Sequence, residues 1–106
     1  MNKRARACDF DKRTRDRIKA RDRGCIFCIM GYRVTDECGE PSQIMHFVPR
    51  SQGGLGIEEN GAWGCAYHHM LLDNSTHRGE MMEMFEDYLK EKYREWEKKK
   101  LVYRKW

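Results

Sequence analysis

Four residues in two pairs have the types and spacing to hold a metal ion. Cys25-x-x-Cys28 and Cys65-x-x-His68 each set two donors where both can reach one ion. Thiolate and imidazole in a set of four suit Zn²⁺ in a closed tetrahedral shell, which leaves no position for a substrate. Such an ion is structural. It would tie residues 25–28 to residues 65–68 across 36 intervening residues, and that tie is folding free energy for a short chain. A redox Cys-x-x-Cys with an unrelated downstream cysteine is the alternative. Cys8 and Cys38 lack a partner at ligand spacing and read as ordinary thiols, Cys38 being the better substitute should His68 not ligate.

A second constellation lies between and just after these pairs. His46 stands 14 residues before Asn60, Asn60 nine before His69, and His69 four before Asp73. At i, i+4 the side chains of His69 and Asp73 share one face of a short helix and could ligate one divalent cation. A cation is the natural means of holding a phosphodiester and neutralising its leaving oxygen. A neutral imidazole such as that of His46 can take a proton from water, because histidine titrates near neutral pH. Base, cation and phosphate together describe a hydrolytic nuclease.

The stretch from Cys25 to Asp73, about half the chain, resembles the HNH endonucleases. The residues that carry the likeness are Cys25-x-x-Cys28, His46-Phe-Val-Pro-Arg-Ser-Gln-Gly-Gly, Asn60 and Cys65-x-x-His68-His69. The resemblance implies a ββα-metal finger of two strands, a loop and a helix, with the zinc-stapled branch closest, and it is nearest to the small HNH proteins of phages and prophages. By position it makes His46 the general base, and Asn60 the residue that orients it through bonds to its loop. His69 becomes a ligand of the catalytic divalent cation (Mg²⁺, Mn²⁺ or another), Asp73 takes the place where the family often has its last His, and Arg50 is set to meet the phosphate. Two departures stand out. The second pair is Cys-x-x-His where Cys-x-x-Cys is common, and the residue before the base, often Asp or His, is Met45. A thioether is a poor ligand for hard cations. His77, four residues beyond Asp73, is a substitute only if the helix runs on through Asn74 to Thr76.

Elements that would position these groups can be read from the pattern. Residues 9–23 form a helix rich in Arg and Lys, ended by Gly24, and Cys25–Cys28 is a tight turn. A loop follows over 29–42, then a strand over Ile44–Val48 closed by Pro49. Ser51–Gly56, with three glycines in four positions, is a flexible loop. A second extended piece surrounds Ala62–Gly64, a short helix runs from Ala66 to about Asp73, and Asn74–Thr76 break it. From Gly79 to about Lys99, Met82, Phe85, Leu89, Tyr93 and Trp96 recur at spacings of 3, 4, 4 and 3, one apolar stripe of ordinary core packing. Glu86 and Lys90 pair across its exposed face, and the tail from Leu101 to Trp106 is expected to pack back as a strand.

The fold class expected is α+β: a small zinc-stapled ββα-metal (HNH) finger flanked by an N-terminal basic helix and a C-terminal amphipathic helix. One domain spans 1–106, with a basic helical arm over 1–24, the core over 25–73 and the C-terminal helix and tail over 79–106.

Composition agrees with a stapled domain. Across 106 residues, 36% are charged and 40% hydrophobic, thin for a core unless something besides apolar burial holds it. The net charge of +4 is uneven: residues 1–23 carry ten Lys or Arg against four Asp, a local +6 that leaves the other 83 residues at −2. A basic segment beside a near-neutral body suits a polyanion, with Arg13, Arg17 and Lys19 and the Lys98-Lys99-Lys100 run gripping DNA phosphates without sequence choice. A merely solvated helix is the alternative on charge alone. The charged N-terminus lacks a secretory apolar run and no stretch suits a bilayer, so the expected place is the cytoplasm, of a bacterial host if the gene is a phage's. The expected function is metal-dependent DNA hydrolysis, with a zinc-dependent DNA-binding module whose active site has lapsed, or a protein-interaction module using the C-terminal helix, as alternatives. A monomer or dimer is allowed, and packaging or recombination partners are implied by the resemblance alone.

Overall fold

The basic segment folds as two helices. In the computed structural model, which describes residues 2–104, α1 spans Lys3–Ala7 and α2 spans Lys12–Asp22. Asp11 separates them by capping α2, its side chain accepting from the Thr14 N–H at 2.8 Å and so satisfying one of the unpaired N–H groups of a helix start. At the other end Arg23, not Gly24, takes the left-handed conformation (φ 66°) that closes the helix.

Only Ile18 and Asp22 of α2 are buried, so an apolar stripe cannot be what anchors it. A polar network does so instead. Arg21 forks onto Asp22 at 2.6 and 3.1 Å and donates to the carbonyls of Glu58 (2.8 Å) and Gly61 (2.6 Å) and to the Tyr93 hydroxyl (2.9 Å). Asp22 accepts in addition from the Trp63 N–H at 2.8 Å and from the Tyr88 hydroxyl. Burial raises the Tyr93 phenol to about 12, and the Tyr88 phenol also rises, from burial and then from Asp22. Helix α2 is therefore a packed part of the fold, whereas no residue of α1 is buried.

Helix α3 (Ile26–Ile29) turns the first ligand pair inward, with Ile26 and Phe27 buried. Strand β1 (Pro41–His46) pairs antiparallel with β2 (Gly61–Cys65) in a two-stranded sheet, His46 opposite Gly61 and Met45 opposite Ala62. The first strand thus begins three residues earlier than the β-branched and apolar run suggests and stops at His46. Phe47 and Val48 leave the ladder, although the Phe47 N–H still reaches the Asn60 carbonyl at 2.8 Å. Helix α4 (Ala66–Asn74) follows β2 without a break and includes Asn74; Ser75 ends it.

Helix α5 (Arg78–Lys92) is shorter than the apolar spacing implied. Its buried face is Met81, Phe85 and Leu89, so Met81, not Met82, opens the stripe. Tyr93 and Trp96 lie beyond the helix yet continue the same packing, Trp96 edge-on to Phe47 with ring centres 5.4 Å apart and its indole N–H on the Glu59 carbonyl at 2.7 Å. The Tyr93 hydroxyl meets Arg21 at 2.9 Å and Glu58 at 2.9 Å. The Glu86–Lys90 pair forms at 2.8 Å. At the C-terminal end Leu101 is buried and Val102 makes a single antiparallel bridge with Gly54; Lys105 and Trp106, part of the expected strand, lie outside the described residues. The result is an α+β fold whose core joins both ligand pairs, both strands, α4 and α5. No described helix is long and apolar enough to cross a membrane.

Candidate metal centre and His46 site

The first turn of α3 presents Cys25 and Cys28, and the end of β2 with the first turn of α4 presents Cys65 and His68. Their donor atoms all lie within 4.8 Å of one another. From His68 Nδ1 the sulfurs stand at 3.3 Å (Cys65), 3.5 Å (Cys28) and 3.7 Å (Cys25), and Cys28 Sγ is 3.9 Å from Cys65 Sγ. A tetrahedron with the usual Zn–S and Zn–N lengths has edges of about 3.5 Å between S and N and about 3.8 Å between sulfurs. The donors are already at those separations, so the four residues could hold a metal ion and fit structural zinc.

Their surroundings agree. His68 Nε2 donates to the Tyr32 carbonyl at 2.7 Å, which fixes the tautomer that leaves Nδ1 as the donor. Cys25, Cys65 and His68 are buried. Burial pushes the Cys25 and Cys28 thiols up, with the neighbouring sulfurs adding to it for Cys28. Against the same burial, the His68 N–H and ring bring the Cys65 thiol down to about 7. Among the described residues this is the one group of three or more Cys, His, Asp or Glu so arranged.

His46 closes β1 and is half-buried. Its Nε2 donates to the Cys8 carbonyl at 3.0 Å, leaving Nδ1 with the lone pair, and the Phe10 ring lies 4.3 Å away, centre to centre. Burial lowers its pKa from the ordinary 6.5; the positive charge of Arg50 acts in the same sense, opposed by the Cys8 carbonyl and Asp9. Asn60 does not touch the imidazole. Fully buried, it accepts from the Val48 N–H (2.8 Å) and donates to the carbonyls of Val48 (3.1 Å) and Leu55 (2.8 Å). It therefore clamps the segment that leaves His46.

The loop so clamped is tight, not flexible. A Cβ on Gly54 would stand 1.7 Å from the Val48 carbonyl oxygen, and one on Gly56 2.1 Å from that of Asp9. Glycine is needed here for close backbone approach.

On α4, His69 Nε2 lies 3.1 Å from Asp73 Oδ2, and its Nδ1 bonds to Gln43 Oε1 on β1. With Nδ1–H donated to Gln43, the Nε2 lone pair faces a carboxylate, an arrangement satisfied by a shared cation or a proton. The same carboxylate also lies 3.9 Å from Arg78 Nη1, so Asp73 is shared between His69 and Arg78. Gln43 also lines the shallow concavity that holds His46, together with Asp9, Phe10, Arg15 and Arg50. Gln43, Arg15 and Asp9 carry no spacing signal in the sequence; the fold alone brings them here.

The remaining candidates are scattered. Arg50 is tied to the Cys8 carbonyl at 3.1 Å and to the Asp9 carboxylate. On α2, Arg13 is exposed, Arg17 lies 3.5 Å from Glu58, and the Lys19 ammonium sits 5.6 Å from the Trp63 ring centre. Met45 is fully buried, and a Cβ on Gly64 would meet its sulfur at 2.6 Å, so position 45 faces the core and away from the His46 concavity. His77 stands beyond the Ser75 break, its backbone bonded to Ser75 and Met81. Comparison of the chain with protein-family models, with curated proteins and with solved structures finds no match.

Proposed function

We propose that the protein is a metal-dependent DNA endonuclease of the HNH type, built on β1, β2 and α4 as a ββα-metal finger. What supports this reading above all is the position of Gln43. It lines the same concavity as His46 and also bonds to His69, whose other nitrogen is paired with Asp73.

In that reading Nδ1 of His46 takes the proton from an attacking water, and its lowered pKa keeps it unprotonated at neutral pH. Asn60 maintains the imidazole by holding residues 48 and 55. A hard divalent cation on His69 and Asp73 would neutralise the phosphate and the leaving oxygen. Arg50 would exchange its Asp9 partner for a phosphate, while Arg13, Arg17, Lys19 and the Lys98–Lys100 run would hold the DNA backbone. The Cys25, Cys28, Cys65 and His68 ion is a staple and takes no part in hydrolysis.

The test is nicking of supercoiled plasmid with Mg²⁺, Mn²⁺, Ni²⁺ or EDTA, beside His46→Ala. Cation-dependent nicking that disappears in the variant, with DNA retention unchanged, is the expected result. Absence of cutting with every ion, from protein that holds zinc and binds DNA, refutes it. One observation favours a second reading, a zinc-dependent DNA-binding module with a lapsed active site. The residue before His46 is a core methionine, so a cation there would have only His69 and Asp73 as protein ligands.

A further inference from the structure

A fifth donor stands beside the four of the metal centre. Cys38 Sγ is 3.9 Å from His68 Nδ1, against 3.7 Å for Cys25 Sγ, which belongs to the cluster. That separation exceeds the ideal S–N edge of a zinc tetrahedron by about 0.4 Å. Neighbouring Asp36, Glu37, Gly39 and Glu40 are exposed, whereas Cys38 is half-buried and packs on the core. The Thr35 carbonyl accepts from the Cys38 N–H at 3.1 Å, closing a turn that keeps the residue inward.

We infer that Cys38 is a reserve ligand of the zinc site, able to close the shell as a fourth thiolate when His68 leaves it. His68 is the donor to be exchanged because it is the one uncharged ligand of the four, and because its Nδ1 is the atom Cys38 approaches. On binding, the Cys38 thiol gives its proton to solvent and the zinc–sulfur bond replaces the zinc–nitrogen bond. No electron transfer is involved. Both the resulting Cys₄ set and the original Cys₃His set are ordinary structural zinc shells. The inference concerns the staple and does not depend on nuclease activity.

Co²⁺ replaces zinc in the purified full chain as a spectroscopic probe, its thiolate charge-transfer absorption counting the sulfurs bound. His68→Ala is expected to bind one Co²⁺ with that absorption raised by about one third, from three thiolates to four. His68→Ala combined with Cys38→Ser should bind Co²⁺ more than about tenfold more weakly than His68→Ala alone. N-ethylmaleimide mapping supplies a second readout: Cys38 should react in the metal-loaded wild type and become protected in metal-loaded His68→Ala. Loss of Co²⁺ from His68→Ala, equal affinity in the single and double variants, or unchanged reactivity of Cys38 each overturn the proposal. So does loss of the metal from Cys38→Ser alone, which would make Cys38 a primary ligand.

Discussion

Asn60→Ala tests how the segment after His46 is held. The variant removes three hydrogen bonds: the acceptor of the Val48 N–H and the donors to the Val48 and Leu55 carbonyls. Val48 is 3% exposed, so water cannot replace the two bonds at that residue, whereas Leu55, half-buried, recovers some hydration. Two orphaned buried groups cost about 1–3 kcal/mol each, so a loss of about 4 kcal/mol is expected. That is a large part of the roughly 5–15 kcal/mol that holds a domain, and at roughly 4–8 °C per kcal/mol the melting temperature falls by well over about 10 °C. Urea unfolding of zinc-loaded wild type and variant reads the difference directly. Asn60→Asp sharpens the test, because it keeps an acceptor for the Val48 N–H but turns an oxygen toward two carbonyls, and it should be at least as damaging at neutral pH. A loss below about 1 kcal/mol in Asn60→Ala, or a wild-type-like Asn60→Asp, refutes the clamp.

The other expectations concern α2, the base and the staple. Arg21→Lys cannot reproduce the fork onto Asp22 together with the Glu58, Gly61 and Tyr93 bonds. With side chains only 13% and 0% exposed, a loss of about 3 kcal/mol in urea unfolding is expected, and one under about 1 kcal/mol argues that the network is dispensable. For nicking, His46 must be neutral and is so above its pKa, which lies below 6.5. The acid limb of kcat/KM against pH should therefore break below 6.5, and a break above it contradicts the desolvated base. Stripping zinc with a strong chelator should lower the urea midpoint, by a stability difference of about 4 kcal/mol when free zinc is a thousandfold above its Kd. Equal midpoints with and without metal would mean that Cys25, Cys28, Cys65 and His68 contribute nothing as a staple.

Local rules made part of this molecule legible. The ligand pairs were readable because Cys-x-x-Cys and Cys-x-x-His place two donors within one turn, wherever the remainder goes. The i, i+4 relation of His69 and Asp73 and of Glu86 and Lys90 is set by helical geometry alone. So is the core face of α5, except that its first and last positions depended on what packs there: Met81 over Met82, and Tyr93 and Trp96 drawn off the helix by Arg21, Glu58, Glu59 and Phe47.

Tertiary structure decided the rest, because it joins residues far apart in the chain. Met45 turns inward because β1 puts it across from Ala62 over the bare backbone of Gly64. Which nitrogen of His46 is free depends on the Cys8 carbonyl, 38 residues away, and which nitrogen of His68 faces the sulfurs depends on Tyr32. The basic segment looked like a solvated or DNA-holding arm, since its charge is visible in composition. Its Asp22 is buried and Arg21 mostly so, because a carboxylate and a guanidinium that satisfy each other can enter a core that neither could enter alone. Periodicity of apolar residues has no term for that.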